Sequence, residues 1–251
     1  MIEEIDNALD AVNNLSSISG DSGSGKSSFS YEPPKKKEPV LAKIVSVVLH
    51  PLLMGVYCIA LLFLYTDFSL LFSGQFIRFI TPVFFLTCVV PASSIYFLRK
   101  GGLIKDYDLK DRDDRLIPFI ALFLSYSLLV YYFAAAGLYA WFIGVLAAPL
   151  ILIVIAAIVT KRWKISLHMM GIGALIGSTL SICYNVKGLN PFILFIILFI
   201  LAGCLGVSRL VLQRHTPAQV YLGFVVGLLV SYISVFIGTY WAFIVFYFKN
   251  L

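Results

Sequence analysis

Near the C-terminal end of the chain, a few polar residues stand at spacings that could do chemistry. In SRLVLQRHTPAQ (208–219), five residues separate Ser208-Arg209 from His215, and Gln219 lies one helical turn past the histidine. A second histidine, His168, follows the basic run KRWKIS (161–166) and falls in the first turn of an apolar segment. Free amides and the helix dipole favour an anion at such a helix start. A third polar stretch, KDYDLKDRDDR (105–115), holds Lys105, Arg112 and Arg115. Arg112 and Arg115 are three apart and can share a helical face. Guanidinium groups grip phosphate oxygens through paired hydrogen bonds. Two imidazoles with clustered cations suit phosphoryl transfer. One ring attacks phosphorus, the other protonates the leaving oxygen, and arginines hold the equatorial oxygens.

Each group also has a plainer reading. The 105–115 stretch can be a solvated loop that sets topology, and His168 an interfacial residue. Thr216-Pro217-Ala-Gln219 fits a capping box with proline at the first helical position. That box explains Thr216 and Gln219, but not Ser208, Arg209 and His215 together. The remaining histidine, His50 in LHPLLMGVY, reads as a residue at a helix start.

The elements that must carry these residues are apolar. The chain has 251 residues, 60% hydrophobic and 13% charged, against roughly 25% charged in an average soluble domain. Apolar runs cover about 44–65, 78–98, 117–136, 140–160, 167–186, 191–208 and 217–237, the last continuing to about 248. Runs of this length predict membrane-spanning helices. The expected fold is an all-α polytopic bundle of six or seven transmembrane helices. The run from 217 to 248 is too short for two spans and a turn, so one long helix, or one span with an interfacial tail, is expected. Pairs of glycines four apart, Gly173 with Gly177 and Gly223 with Gly227, suit close helix approach.

Counting crossings puts the loops 99–116, 161–166 and 209–216 on one face. They hold eleven of the fourteen Lys and Arg residues that follow Lys43. The positive-inside rule then makes this face cytoplasmic, although cations kept for an anion would inflate the same count. Five of the six acids beyond residue 50 fall in the 105–115 stretch. A net charge of +6 therefore concerns topology and anionic ligands. Nucleic acid is a poor partner for a chain with no basic soluble domain.

Residues 1–40 read as a polar, disordered tail, and 41–251 as the transmembrane domain. The tail contains GDSGSGKS at 20–27, which fits the phosphate-loop pattern. Neither a strand before it nor a helix after it is indicated, and the loop's chemistry needs both. Its beginning lacks a signal-peptide pattern, so insertion is expected to rely on the first span. The four cysteines, Cys58, Cys88, Cys183 and Cys204, lie in apolar runs without metal-ligand spacing and read as packing residues.

The order and spacing of the three polar stretches resemble the type 2 phosphatidic acid phosphatase superfamily, of which this chain would be a divergent member. The family signature is K-x6-R-P, then P-S-G-H, then S-R-x5-H-x3-D. Ser208-Arg209, His215 and Gln219 reproduce the third part with glutamine in place of aspartate. Ile165-Ser166-Leu167-His168 keeps the serine and histidine of the second. Lys105 and Arg112 keep the first with Asp113 in place of proline, or Arg115 with Pro118 supplies it. The resemblance covers about residues 99–230. It implies metal-independent hydrolysis of a lipid phosphate, with no cofactor, through a phosphohistidine on His215. His168 would be the general acid, Gln219 the partner of His215, and Lys105, Arg112, Arg115, Ser166, Ser208 and Arg209 the phosphate-binding residues. The implied partner is an isoprenoid or phospholipid phosphate in the bilayer, and the implied location a bacterial inner membrane.

Gln219 can accept a hydrogen bond but carries no charge. A silenced relative that binds lipid phosphates or assists assembly is therefore the alternative. Prenyl transfer would need a second acidic motif, which the sequence lacks. Transport would place ionisable groups at mid-depth in the spans, and there are almost none.

Overall fold

In hydrocarbon, a backbone must satisfy its own polar groups, so long apolar runs fold as helices. The computed structural model describes residues 38–102 and 116–249. Lys105, Arg112, Arg115 and the tail up to residue 37 lie outside the described residues. Among the described residues, seven helices are long and apolar enough to cross a bilayer. They are α1 (Val40–Tyr65), α2 (Phe76–Lys100), α3 (Ile117–Ala135), α4 (Ala140–Thr160), α5 (Leu167–Lys187), α6 (Phe192–Val211) and α7 (Pro217–Trp241). No strand occurs among the described residues. The protein is an all-α polytopic membrane bundle.

The final run is one unbroken helix, with α7 continuing to Lys249 for 33 residues in all. At 1.5 Å per residue it extends about 50 Å, against about 30 Å of hydrocarbon. It must tilt or run on past the apolar layer.

Helix α5 is the most enclosed span, and α7 lies along both α5 and α4. The glycine pairs allow this. A Cβ on Gly173 or Gly177 would run into the backbone of Phe224 or Leu228 on α7, and one on Gly227 into the Met170 carbonyl on α5. The two helices therefore touch backbone to backbone, with no side chain between them.

Helix α1 is interrupted. It runs as α-helix over Val40–Val48, makes a tight turn over Pro51–Leu53, and resumes over Met54–Tyr65. Pro51 has no N–H to continue the ladder, and the His50 side chain caps the turn by accepting the Leu52 N–H at 3.3 Å. The Leu52 carbonyl is taken up from outside, by Thr87 Oγ1 at 3.1 Å and Cys88 Sγ at 3.0 Å. Both donors sit in a wide π-turn of α2, Phe85–Val89, just after Pro82. A π-turn re-aims side chains within a helix. The irregular turn of α2 thus supplies the donors that the break in α1 needs within the span.

Candidate functional site at the mouth of an amphipathic cavity

Arg209 lies in the last turn of α6, and His215 stands two residues before Pro217, the first helical residue of α7. The chain between them turns at Gln213, which has φ 51°, and buries Leu212. The five-residue gap is therefore the length of one tight connection between antiparallel helices. It sets a guanidinium on one helix end beside an imidazole on the next.

Gln219 fixes the state of that imidazole. Its Oε1 accepts the Thr216 N–H at 3.2 Å and lies 3.1 Å from His215 Nδ1. Because the amide N–H can only donate, the atom facing it must be the oxygen of Gln219. An oxygen cannot donate to His215, so Nδ1 carries the hydrogen. The lone pair of the neutral ring is then on Nε2. The side-chain half of the expected capping box and the expected histidine partner therefore meet at one oxygen of Gln219.

His168 lies in the first turn of α5. Its ring is hydrogen-bonded to the Ser46 backbone, and Arg209, His50 and His215 are all near enough to act on it electrostatically. The His50 ring meets His168 edge to face, with centroids 5.1 Å apart and planes at 82°. Arg209 donates to Ser46 Oγ at 3.3 Å, and Arg214 to Glu38 at 3.3 Å. Glu38 also pairs with Lys43 at 2.9 Å.

These groups line one end of a cavity of about 610 Å³, within the usual range for a small-molecule site. The rest of its wall is mostly apolar and reaches among the spans, past Val83, Leu122, Leu146 and Ile153, with Thr87, Tyr126, Ser178 and Ser231 as its polar exceptions there. The site is therefore charged at the helix ends and mostly apolar at depth.

The two serines of the expected site stand apart from the cavity wall. Ser208 is buried, bonded to Ser46 Oγ at 3.0 Å and to the Ala42 carbonyl. It ties α6 to α1. Ser166 is fully buried at the start of α5, where its N–H meets the Gln219 carbonyl at 3.4 Å. Its hydroxyl has no hydrogen-bond partner among the described residues. Lys105, Arg112 and Arg115 fall outside the described residues. So the structure brings His168, Arg209, His215 and Gln219 together. It adds Ser46 and His50 from α1, which the motif reading left out. His50 does cap a turn, as a residue at a helix start would, but that turn is inside the span and its ring is in the site. No group of three or more potential metal ligands occurs among the described residues. Comparison of the chain with protein-family models, with curated proteins and with solved structures returns no match.

Proposed function

We propose that the chain is an integral membrane phosphatase-like protein, a divergent relative of the type 2 phosphatidic acid phosphatases. It would hydrolyse a lipid-linked phosphate ester, either an isoprenyl diphosphate or a phospholipid phosphate. One observation carries this reading: His168, Arg209 and His215 converge at the polar end of a cavity whose depth is mostly apolar. A phosphate group fits the first part and a hydrocarbon chain the second.

In this reading Nε2 of His215 attacks phosphorus, and the ester P–O bond breaks. His168 gives its proton to the departing oxygen, which leaves as the lipid alcohol or, from a diphosphate, as the lipid monophosphate. Arg209 holds the oxygens that gather charge. Water then attacks the phosphohistidine, the P–N bond breaks, and His168 takes up the proton as inorganic phosphate leaves. The site face is cytoplasmic by its positive charge.

Gln219 favours one other reading. Its neutral side chain orients His215 without stabilising a cationic ring, which suits a silenced relative that only binds lipid phosphates. Phosphate release by the purified protein in detergent separates the two. The substrates are undecaprenyl diphosphate, phosphatidic acid and phosphatidylglycerol phosphate, with His215→Ala as control. Release that His215→Ala abolishes supports the enzyme. Release that persists in His215→Ala rejects the phosphohistidine, and none from wild type leaves the binding role.

A further inference from the structure

We propose that α1 supplies the positioning apparatus of the site, with His50 as the positioning residue for His168 and Ser46 for Arg209. This rests on the phosphatase reading above. Ser46 lies in the last turn of the first helical stretch of α1, and His50 stands at the break itself, two residues past Val48. From that turn Ser46 offers two groups. Its backbone bonds the His168 ring, and its hydroxyl accepts from Arg209. Ser46 is itself held by Ser208, so the serine beside Arg209 acts through α1.

His50 is fixed more tightly than a residue at a helix start requires. Its Nδ1 accepts the Leu52 N–H, which places the hydrogen of the neutral ring on Nε2. Its ring then meets His168 in a T-shaped contact. The turn that presents it is clamped through Leu52 by Thr87 and Cys88 of α2. With one ring nitrogen bonded to the Ser46 backbone and the His50 ring packed T-shaped against it, His168 has little freedom to rotate. A general acid held this way keeps its other nitrogen aimed at a single place. The charged neighbours that act on His168 are Arg209 of α6 and His215 of the loop, besides His50 itself.

The test is His50→Asn, whose Oδ1 can replace Nδ1 as acceptor for Leu52 N–H while the ring disappears. If His50 only caps a turn, the variant keeps wild-type turnover. If it positions His168, kcat falls about ten- to a hundredfold, part of the hundred- to ten-thousandfold that general acid–base catalysis supplies. In that case KM holds, and the limb of the pH–rate profile that reports His168 moves. His50→Phe, which restores a ring but no cap, separates the two roles further. It regains part of kcat at a lower thermal midpoint if the ring contact matters. Wild-type rates and an unmoved profile in His50→Asn overturn this inference and leave the phosphatase reading standing. Absence of phosphate release from the wild type removes both.

Discussion

Gln219→Glu tests the site most sharply, because its effect can be estimated from the bonds already present. Gln219 Oε1 accepts from Thr216 N–H and pairs with His215 Nδ1. A glutamate of the same length keeps both bonds and adds a negative charge at the N-terminal turn of α7, where the helix dipole favours it. In serine hydrolase triads, exchanging the aspartate for asparagine costs about ten-thousandfold, because the histidine takes the wrong tautomer. That penalty does not apply here, since Gln219 already enforces the right tautomer. In the proposed phosphatase, what is missing is only the charge on the partner of a ring that would become cationic. A hydrogen bond to a charged group contributes about 1.5–3 kcal/mol, against about 0.5–1.5 for a neutral one. The difference is about 1–1.5 kcal/mol, close to tenfold in rate. Gln219→Glu should therefore raise kcat for phosphate release about tenfold with the thermal midpoint held or slightly raised. Gln219→Leu loses tautomer control as well and should fall far more steeply. An unchanged or lower rate in a folded Gln219→Glu protein would refute the assignment of His215 as nucleophile. A gain of several thousandfold would refute the argument that the tautomer is already set.

Gly227→Val places a Cβ on the Met170 carbonyl, so α5 and α7 must part. A cost of about 1–3 kcal/mol should appear as a lower midpoint of thermal unfolding in detergent. A midpoint equal to wild type would show that the helices do not touch there. Removing one donor to the Leu52 carbonyl, by Thr87→Val, leaves Cys88 in place and should cost under about 1 kcal/mol. Adding Cys88→Ala leaves a buried carbonyl unsatisfied, and the pair should cost more than the sum of the single changes, about 1–3 kcal/mol. Strict additivity in that double-mutant cycle would count against the clamp. A reporter fused between α3 and α4, at residues 137–139, should lie outside the cytoplasm. Cytoplasmic labelling there would reverse the assigned sidedness.

The fold was largely legible because span length is set by bilayer thickness. Apolar runs of about twenty residues have one stable solution in hydrocarbon, and all seven expected runs are helices of that kind. The glycine pairs were legible for a related reason, since only a missing side chain lets two backbones meet. The irregularities were harder to see. Pro51 and Pro82 are plain in the sequence, but proline shows only that a ladder is broken. It does not show that the freed Leu52 carbonyl finds Thr87 and Cys88 some 35 residues away.

The site divides along the same line. His215, Gln219 and Arg209 could be placed together from sequence because a cap, a turn and a helix end are local features with fixed spacing. Ser46 and His50 could not, since their link to His168 and Arg209 exists only once α1 packs against α5 and α6. A serine in IVSVV and a histidine before a proline carry no local signal of an anion site. One signal was available in retrospect. His50 is one of only three histidines in the chain, and it is placed where α1 must break. A break at membrane depth exposes backbone groups that lipid cannot satisfy. It is tolerated where it faces protein or a polar cavity, so the residue at the break is already aimed at whatever the protein keeps wet.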